Sequence, residues 1–406
     1  MEEVTTETRQ LNPRSHPEKK IKYVDVSAVS NETLAIEGFA EYSGSDAPSR
    51  ARKEILSEDV IFATVRPSLK RIAMVPQSLN GQLCSTAFCV VRANPDVADP
   101  SFLFYSISSD SFVNRVTTFQ RGISYPAVTD RVVLSEKIRL PPLKDQRAIA
   151  SILTKVRNSL GASREVLKSA KGLRRALLTS QFRRSESTVQ PSAVEGATEL
   201  GKLPSGWHVS TLEEVFDIQQ GKALSPGARV GKSPRPFLRT ANVLWGRVDT
   251  KTIDRMDFSE EEANLYALRK GDLLVCEGGD IGRTAIWTGE VDPCYYQNHL
   301  HRLRPKTDRT IALFYMYWMD AAINVYGLYI GQGNRTTIPN LSKGRLSSFA
   351  VPVPPTEDQV RIASQLTVVD EKIKAEEARL HHLQDLYQTL LHELLSGKRR
   401  LVGAAG

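Results

Sequence analysis

The sequence lacks an apolar run long enough to span a membrane, and residues 1–6 lack the basic and apolar regions of a signal peptide. We therefore expect a cytoplasmic protein with no membrane contact. No two cysteines have the C-x-x-C spacing, which argues against a zinc ribbon or a redox pair. Reduced, partly buried thiols are expected at Cys84, Cys89, Cys276 and Cys294.

Motifs that carry metal binding or catalysis are also missing. His299 and His301 alternate as strand neighbours would, but they lack cysteine or carboxylate partners at a metal-ligand spacing. Residues 227–233 resemble a P-loop, yet they have three residues between the glycines instead of four, and prolines follow where a helix should begin. We found no Asn-Pro-Pro-(Tyr/Phe) motif and no carboxylate cluster with a lysine at nuclease spacing. The chain alone is predicted to be non-catalytic.

The overall composition is that of an ordinary soluble protein with room for two or three hydrophobic cores. It has 406 residues, of which 41% are hydrophobic and 25% charged. The formal net charge of +8 is compatible with a nucleic-acid partner, although many basic proteins bind none.

One stretch of sequence occurs twice and organises the chain. Residues 141–156 return as residues 354–369, and ten of the sixteen aligned pairs are identical without a gap. Chance agreement would give roughly one identity, so this is an internal repeat. Equivalent positions in the two copies are therefore 213 residues apart, and we call this distance the repeat shift.

Each copy of the repeat begins a long helix. The Pro-Pro pair marks the helix start, and Asp145 or Asp358 can accept the free amides of the first turn. Apolar residues then recur every three or four positions, in a seam interrupted in the second copy only by Glu376. A helix of about 40 residues is roughly 60 Å long, and its narrow apolar stripe needs a partner. The other copy is the nearest candidate.

The segments before the helices predict two mixed globular units. After a loose tail over residues 1–20, strands are expected at 21–26, 59–65 and 86–91, with a helix at 101–119. The second unit repeats this order, with strands at 237–243, 271–275 and 298–303 and a helix at 310–326. The polar segment from about 183 to 206 is predicted to be a linker.

This arrangement resembles the specificity subunit of a type I restriction-modification enzyme over nearly the whole chain. The resemblance rests on the duplicated (Leu/Val)-Pro-Pro-x-x-Asp-Gln-x-x-Ile-Ala motif and on the opening Leu203-Pro204-Ser205-Gly206-Trp207, followed by Thr211-Leu212 and Gln220-Gly221. The first unit departs from the pattern, because no such Trp-containing opening precedes Tyr23. Its first strand is therefore altered, missing or supplied by another segment.

The resemblance implies an α+β fold with a pseudo-twofold internal repeat. Two mixed α/β target-recognition domains would be separated by two long antiparallel coiled-coil helices. The implied division is recognition domain 1 at 1–142, helix 1 at 143–183, a linker at 184–203, recognition domain 2 at 204–355 and helix 2 at 356–397.

The resemblance also implies the partners. Each recognition domain would read one half of a bipartite, asymmetric target in double-stranded DNA. The paired helices would dock two modification subunits, which are adenine methyltransferases, and restriction subunits would join the larger complex. No cofactor is expected in this chain, whereas S-adenosylmethionine is expected in the modification subunit.

Base readout and phosphate binding need polar or basic side chains on projecting loops, and such residues occur in both units. The candidate DNA contacts are Arg66, Lys70, Arg71, Gln120, Arg121, Ser124, Tyr125, Arg239, Asn242, Arg283, Gln332, Asn334, Arg335, Thr336 and Thr337. The candidate helix and subunit interface consists of Gln146, Leu153, Leu160, Leu167, Gln359, Leu366, Ile373, Leu380 and Leu383.

Two alternatives remain open at this level. A coiled-coil scaffold that binds only protein would explain the helices but would leave the paired polar loops without a role. A nucleic-acid enzyme would need a catalytic cluster that the sequence does not display.

Overall fold

The computed structural model describes residues 1–122, 124–182, 200, 203–224, 233–329 and 341–400. The chain divides into two compact units: unit 1 is Met1–Val166 with Glu376–Gly406, and unit 2 is Leu167–Ala375. Each unit therefore contains one globular domain and a part of both long helices. The predicted loop at 331–340 lies outside the described residues, as does most of the predicted linker.

The described residues of unit 1 form two four-stranded sheets, with strand orders β1-β8-β5-β6 and β3-β2-β7-β4. The strands are β1 (Thr5–Thr6), β2 (Lys20–Val24), β3 (Ala40–Ser43), β4 (Ala51–Ile55), β5 (Val60–Ala63), β6 (Ile72–Met74), β7 (Gln82–Ser85) and β8 (Phe88–Ala93). The helices are α1 (Pro100–Ser108), α2 (Asp110–Thr117), α3 (Asp130–Ser135) and the first long helix α4 (Leu143–Gln181), which continues into unit 2.

Unit 2 repeats the central sheet of unit 1 in the order β10-β18-β15-β16, and its described residues also form the smaller sheets β14-β11-β17, β12-β13 and β19-β9. Its strands are β9 (His208–Thr211), β10 (Phe216–Gln220), β11 (Pro234–Leu238), β12 (Val243–Leu244), β13 (Arg247–Val248), β14 (Asp254–Asp257), β15 (Leu273–Cys276), β16 (Thr284–Ile286), β17 (Tyr295–Tyr296), β18 (Leu300–Pro305) and β19 (Ala350–Val353). Its helices are α5 (Leu212–Val215), α6 (Glu260–Tyr266), α7 (Ala312–Asp320), α8 (Lys343–Ser347) and the second long helix α9 (Thr356–Ser396), which continues into unit 1.

The central strands β5 and β15 are apolar at every position because each is buried on both faces. In β5, Val60 and Phe62 enter the core beneath the helices, whereas Ile61 and Ala63 enter the core on the opposite face. Side chains alternate between the two faces of a strand, so a continuous apolar run supplies two cores at once. The apolar runs in the sequence therefore predicted the centre of each sheet.

Two local predictions need correction. The N-terminal segment is ordered rather than a loose tail: β1 pairs antiparallel with β8, and the Met1 α-amino group donates to the Glu136 carbonyl at 2.9 Å. The predicted helix at 101–119 is two helices, because Ser109 has extended backbone angles and its hydroxyl accepts the Phe112 amide to begin α2.

The start of unit 1 differs from that of unit 2 at one sheet edge. In unit 2, β9 pairs antiparallel with β19, and the Leu212 amide donates to the Phe349 carbonyl. In unit 1 the Met1 α-amino group makes the equivalent bond to Glu136. Among the described residues of unit 1, no strand pairs with residues 137–140, the counterpart of β19.

Candidate nucleic-acid interface and helix surface

Two loops of unit 1 that are far apart in sequence form one polar surface. Val65 and Arg121 each form a strand-like bridge with Ala127, which brings Arg66 next to Tyr125. The Arg66 guanidinium lies 5.2 Å from the centre of the Tyr125 ring, and its Nη2 donates to the Ser124 carbonyl at 3.2 Å. The Tyr125 side chain is 73% exposed. A cation held over an exposed aromatic ring can bind phosphate while the ring stacks on a base.

The structure brings five of the predicted DNA contacts to this surface, which we call the Arg66 surface: Arg66, Gln120, Arg121, Ser124 and Tyr125. Arg121 and Ser124 are exposed. Gln120 donates through Nε2 to the Thr117 carbonyl at 3.0 Å, so its amide is partly committed within the chain.

Lys70 and Arg71 make contacts within unit 1 that hold the fold. Lys70 forms an ion pair with Asp110 on α2. Arg71 donates through Nη1 to the carbonyls of Val26 at 3.2 Å and Val29 at 2.7 Å, so it anchors that segment. Arg66 and Lys70 both have φ of +50°, an unfavourable backbone conformation for residues with a side chain.

The predicted contacts of unit 2 that the structure describes are mostly engaged within the chain. Asn242 is buried, and its Nδ2 donates to the carbonyls of Asp249 at 2.9 Å and Thr252 at 2.8 Å. Arg283 donates to the Thr240 carbonyl at 3.0 Å, whereas Arg239 forms a half-exposed ion pair with Asp254 at 2.9 Å. Arg239 is the more available of these for DNA. Gln332, Asn334, Arg335, Thr336 and Thr337 lie outside the described residues.

A polar cluster that the sequence did not predict holds Leu341 in place. The buried Glu277 carboxylate accepts the Gln220 amide at 3.2 Å and lies 3.5 Å from Nδ1 of His299. Nε2 of the fully buried His301 lies 2.9 Å from the Leu341 carbonyl, and the Leu341 amide donates to the Glu277 carbonyl. These bonds fix Leu341, the first described residue after 330–340. The spacing of His299 and His301 by two positions on a predicted strand was the signal in the sequence that could have indicated this cluster.

Burial lowers the pKa of His301, and the hydrogen bond with the Leu341 carbonyl opposes this effect. The imidazole is therefore neutral near pH 7, and Nε2 carries the proton that it donates to the carbonyl. Protonation of the second ring nitrogen would place a charge in the core of unit 2.

Gln146 and Gln359, which occupy equivalent repeat positions, attach each long helix to its own globular domain. Gln146 is buried, accepts the Asp99 amide at 2.9 Å and donates to the carbonyls of Val97 and Pro141 at 3.0 and 2.9 Å. Gln359 accepts the Ile311 amide at 2.9 Å and donates to the Pro354 carbonyl at 2.9 Å. We proposed both as interface residues. Their side chains bind within their own unit, which is why the motif carries glutamine at this position.

The long helices pack antiparallel in each unit. In unit 1, Leu153 and Leu160 of α4 share a core with Tyr387, Leu391 and Leu394 of α9. Leu380 and Leu383 are partly buried against the same core, Leu366 is buried in the core of unit 2, and Leu167 and Ile373 are half-buried. At the middle of the helices, Ser163 Oγ donates to Glu376 Oε1 at 2.5 Å.

In unit 2 the two long helices share an apolar core and are also joined by ion pairs. Arg174 of α4 pairs with Asp370 of α9 at 2.6 Å and with Asp320 at 2.8 Å. Burial would lower the pKa of Arg174, but the hydrogen bond to Asp370 and the two negative charges raise it. The guanidinium therefore stays charged and joins both long helices to α7.

The outer faces of the long helices carry exposed apolar residues at repeat-equivalent positions. Leu173 on α4 is 52% exposed, and its counterpart Leu386 on α9 is 45% exposed. Val360 and Val368 on α9 are also exposed. Because exposed leucines occupy equivalent repeat positions on both helices, the helices present two similar apolar surfaces to a protein partner.

The opening of unit 2 is anchored to α9 by Trp207. Its Nε1 donates to Asp358 Oδ2 at 3.1 Å, and its ring packs edge-on against Phe314 at 6.0 Å. Asp358 also accepts a hydrogen bond from Arg361, and the two bonds lower the pKa of the carboxyl, with Arg361 contributing most. Asp358 thus binds side chains and does not have the expected role of helix cap.

Redox and metal chemistry receive no support from the described residues. The four free thiols are buried, and burial raises the pKa of Cys276 to about 11 and the pKa values of Cys89 and Cys294 to about 12. Neutral buried thiols are poor nucleophiles and ligands. In the part of the chain that the structure describes, no group of three or more His, Cys, Asp or Glu side chains could hold a metal ion. No helix among these residues is long and apolar enough to cross a membrane.

Comparison with known proteins identifies relatives of the whole arrangement. Residues 15–168 and 204–385 match the type I restriction modification DNA specificity domain. The chain is 27% identical over 337 residues to the type I restriction enzyme MjaVIII specificity subunit of Methanocaldococcus jannaschii, covering 79% of this chain and 75% of that protein.

Solved structures agree with this match. A chain from a structural study of complex assembly and conformational transition of the type I R-M system is 31% identical, with a TM-score of 0.55, covering 97% of this chain and 96% of that chain. The S subunit of the type I restriction-modification system from M. genitalium has a TM-score of 0.60 at 17% identity, covering 97% and 94%, and shows the same fold.

Proposed function

Because the chain belongs to the type I restriction-modification DNA specificity family, we propose that it selects a bipartite, asymmetric DNA target. Each recognition domain reads one half of the target, unit 1 through the Arg66 surface and unit 2 through polar residues that include Arg239 and the predicted contacts from Gln332 to Thr337. The two globular domains differ in sequence while their helix attachments are the same. This pattern suits two readers of different half-sites on one repeated scaffold.

The observation that carries the proposal is the duplicated attachment of domain to helix. Gln146 and Gln359 are separated by the repeat shift, and each donates to the carbonyl of the first proline of its Pro-Pro pair and accepts a backbone amide from its own globular domain. Packed helices are stiff, so a reader fixed to each helix has a defined position along the duplex. The distance between the half-sites would then be a property of the helices rather than of the linker.

The partners follow from the helix surfaces. Two modification subunits would dock on the repeat-equivalent apolar positions around Leu173 and Leu386, and restriction subunits would join the larger complex. S-adenosylmethionine would be bound by the modification subunit, which performs methyl transfer to adenine. The specificity subunit itself would be non-catalytic and would supply target choice and geometry.

The methylome of a host that expresses this chain with its modification subunit tests the proposal. The control host carries the modification subunit alone. We expect a bipartite motif with methyladenine in both halves, present only when this chain is present. A folded, assembled complex that yields no motif would refute DNA selection and favour a scaffold role. A DNA footprint on the assembled complex provides the second readout.

A further inference from the structure

Unit 1 contains a cavity of about 810 Å³ between the loop at residues 31–35 and the two long helices. Its lining combines polar and apolar groups, among them Leu34, Ser108, Arg157, Arg164 and Tyr387. The volume is within the usual range of ligand pockets. None of the five residues that form the Arg66 surface lines it.

The equivalent place in unit 2 holds the ion pairs of Arg174 with Asp320 and Asp370. The repeat shift of 213 places Tyr387 at the position of Arg174, and Arg157 at that of Asp370. Ser108 and Asp320 are the last residues of the equivalent helices α1 and α7. Unit 2 therefore has two carboxylates and a cation where unit 1 has a serine, an arginine and a tyrosine.

This exchange leaves hydrogen-bond donors in unit 1 without an acidic partner. The Tyr387 side chain is 9% exposed, and its buried hydroxyl has no hydrogen-bond partner among the described residues. A buried hydroxyl without a partner costs about 1–3 kcal/mol, so its presence calls for an explanation. Burial raises the pKa of Tyr387, which keeps the hydroxyl protonated as a donor.

Of the cations that line the cavity, Lys70 pairs with Asp110, and the arginines have no carboxylate partner among the residues that the structure describes. Arg157 donates through Nη2 to the carbonyls of Thr33 and Leu34, both at 3.1 Å, and stacks on Phe104 at 4.7 Å. Within the described ranges, no ion pair joins Arg157 or Arg164 to an acidic residue. Glu32 and Glu165 are the acidic groups of the lining.

We propose that this cavity binds an anionic oxygen group, a carboxylate or a phosphate, next to Arg157, Ser108 and Tyr387. The bound anion supplies in unit 1 the negative charge that Asp320 and Asp370 supply in unit 2. The Tyr387 hydroxyl and the remaining N–H groups of Arg157 are suitable donors for either anion. The Ser108 hydroxyl, which donates to the Tyr105 carbonyl at 3.2 Å, would turn to the anion. The proposed site lies beside the middle of α4 and is independent of DNA reading.

Titration of the full chain with inorganic phosphate and with acetate tests the site, with hydrogen exchange at residues 31–35 and 157–165 as the local readout. Ser108→Asp places a carboxylate at the position of Asp320 and should weaken anion binding by about tenfold or more. Ser101→Asp adds the same charge to the same helix away from the cavity and should leave binding unchanged. Absence of saturable protection by either anion would overturn the proposal, as would equal binding by both variants.

Tyr387→Phe provides a second test if Ser108→Asp fails to fold. Without anion this variant should be at least as stable as the parent chain, because it removes the buried hydroxyl that lacks a partner. It should nevertheless bind phosphate or acetate more weakly. Unchanged anion affinity would contradict the assigned role of Tyr387.

The assembled complex with a modification subunit distinguishes the source of the anion. Loss of phosphate binding on assembly, together with weaker assembly of Ser108→Asp, would identify a carboxylate of the partner. Phosphate binding that persists in the complex would identify a small soluble anion. Failure of both the free chain and the complex to bind would overturn the site, whatever the methylome shows.

Discussion

Ser163 donates a 2.5 Å hydrogen bond to Glu376, and these two residues are each other's counterparts in the repeat. Two antiparallel copies of one helix bring equivalent residues together only at the centre of their overlap. Glu376 is 2% exposed and is a polar residue in an otherwise apolar seam. A buried polar pair at one seam position can fix helix register, as a single buried asparagine does in coiled coils.

Removing the serine hydroxyl should destabilise the helix pair. We expect Ser163→Ala to lower the free energy of unfolding by about 1–3 kcal/mol, because the buried carboxylate loses a donor. A double-mutant cycle with Glu376→Gln, measured by urea unfolding, checks the coupling. Additive effects of the two substitutions would show that the hydrogen bond has no role in stability.

Gln146 and Gln359, which attach the long helices to the globular domains, should each affect the stability of their own unit. Gln359→Ala should destabilise unit 2 by about 1–3 kcal/mol, because the Ile311 amide loses its acceptor. All four tryptophans lie between residues 207 and 318, so tryptophan fluorescence reports on unit 2. Gln146→Ala is the matched variant for unit 1 and should shift total unfolding while changing this fluorescence transition much less. If both variants shifted the fluorescence-detected unfolding transition equally, the two glutamines would not act on separate units.

His301 should make the stability of unit 2 depend on pH. Its pKa in the folded chain is below the ordinary value of 6.5, so the unfolded chain binds a proton more readily. Stability should be constant above about pH 6.5 and should fall as the pH decreases towards the folded pKa, by at most about 1.4 kcal/mol per pH unit. Urea unfolding followed by tryptophan fluorescence between pH 5 and 8 measures this slope.

Two variants separate His301 from the other titrating groups. His301→Gln keeps a donor for the Leu341 carbonyl and should reduce the acid slope. His208→Gln alters an exposed histidine of the same unit and should leave the slope as it is. An unchanged slope in His301→Gln would show that the acid sensitivity has another source.

The Arg66 surface should affect one half of the DNA target. Arg66→Ala should weaken binding by about 1–3 kcal/mol if the guanidinium contacts a base, and it should relax specificity only in the half-site read by unit 1. Arg147→Ala removes an exposed arginine from α4 and serves as the control. Binding to a panel of targets with single substitutions measures both effects. Uniform weakening across the panel would indicate a phosphate contact instead.

The sequence predicted best those elements whose formation depends on residues close together in the chain. The Pro-Pro pairs and the seam spacing predicted both long helices, which begin at Leu143 and Thr356. The run from Val60 to Ala63 predicted a buried strand because every residue in it is apolar. The N-terminal prediction was wrong because β1 is held by backbone pairing, which polar side chains such as Thr5 do not signal.

The site was less predictable because its contacts join distant segments. Nothing local distinguishes Arg66, which lies beside Tyr125, from Arg71, whose guanidinium is occupied by the carbonyls of Val26 and Val29. Likewise, Gln146 was assigned to an interface because it belongs to the repeated motif. Its role depends on the Asp99 amide, which lies 47 residues earlier in the chain.

The division of both long helices between the units affects how the protein forms on the ribosome. Leu160 is covered by Leu391 and its neighbours, which are synthesised more than 200 residues later. At about 5–20 residues per second, the apolar stripe on the first half of α4 stays uncovered for roughly 10–50 seconds. During that time all strands of unit 1 have been synthesised, but the residues that α9 contributes to its core have not. Unit 1, although it is first in sequence, is the last to be completed.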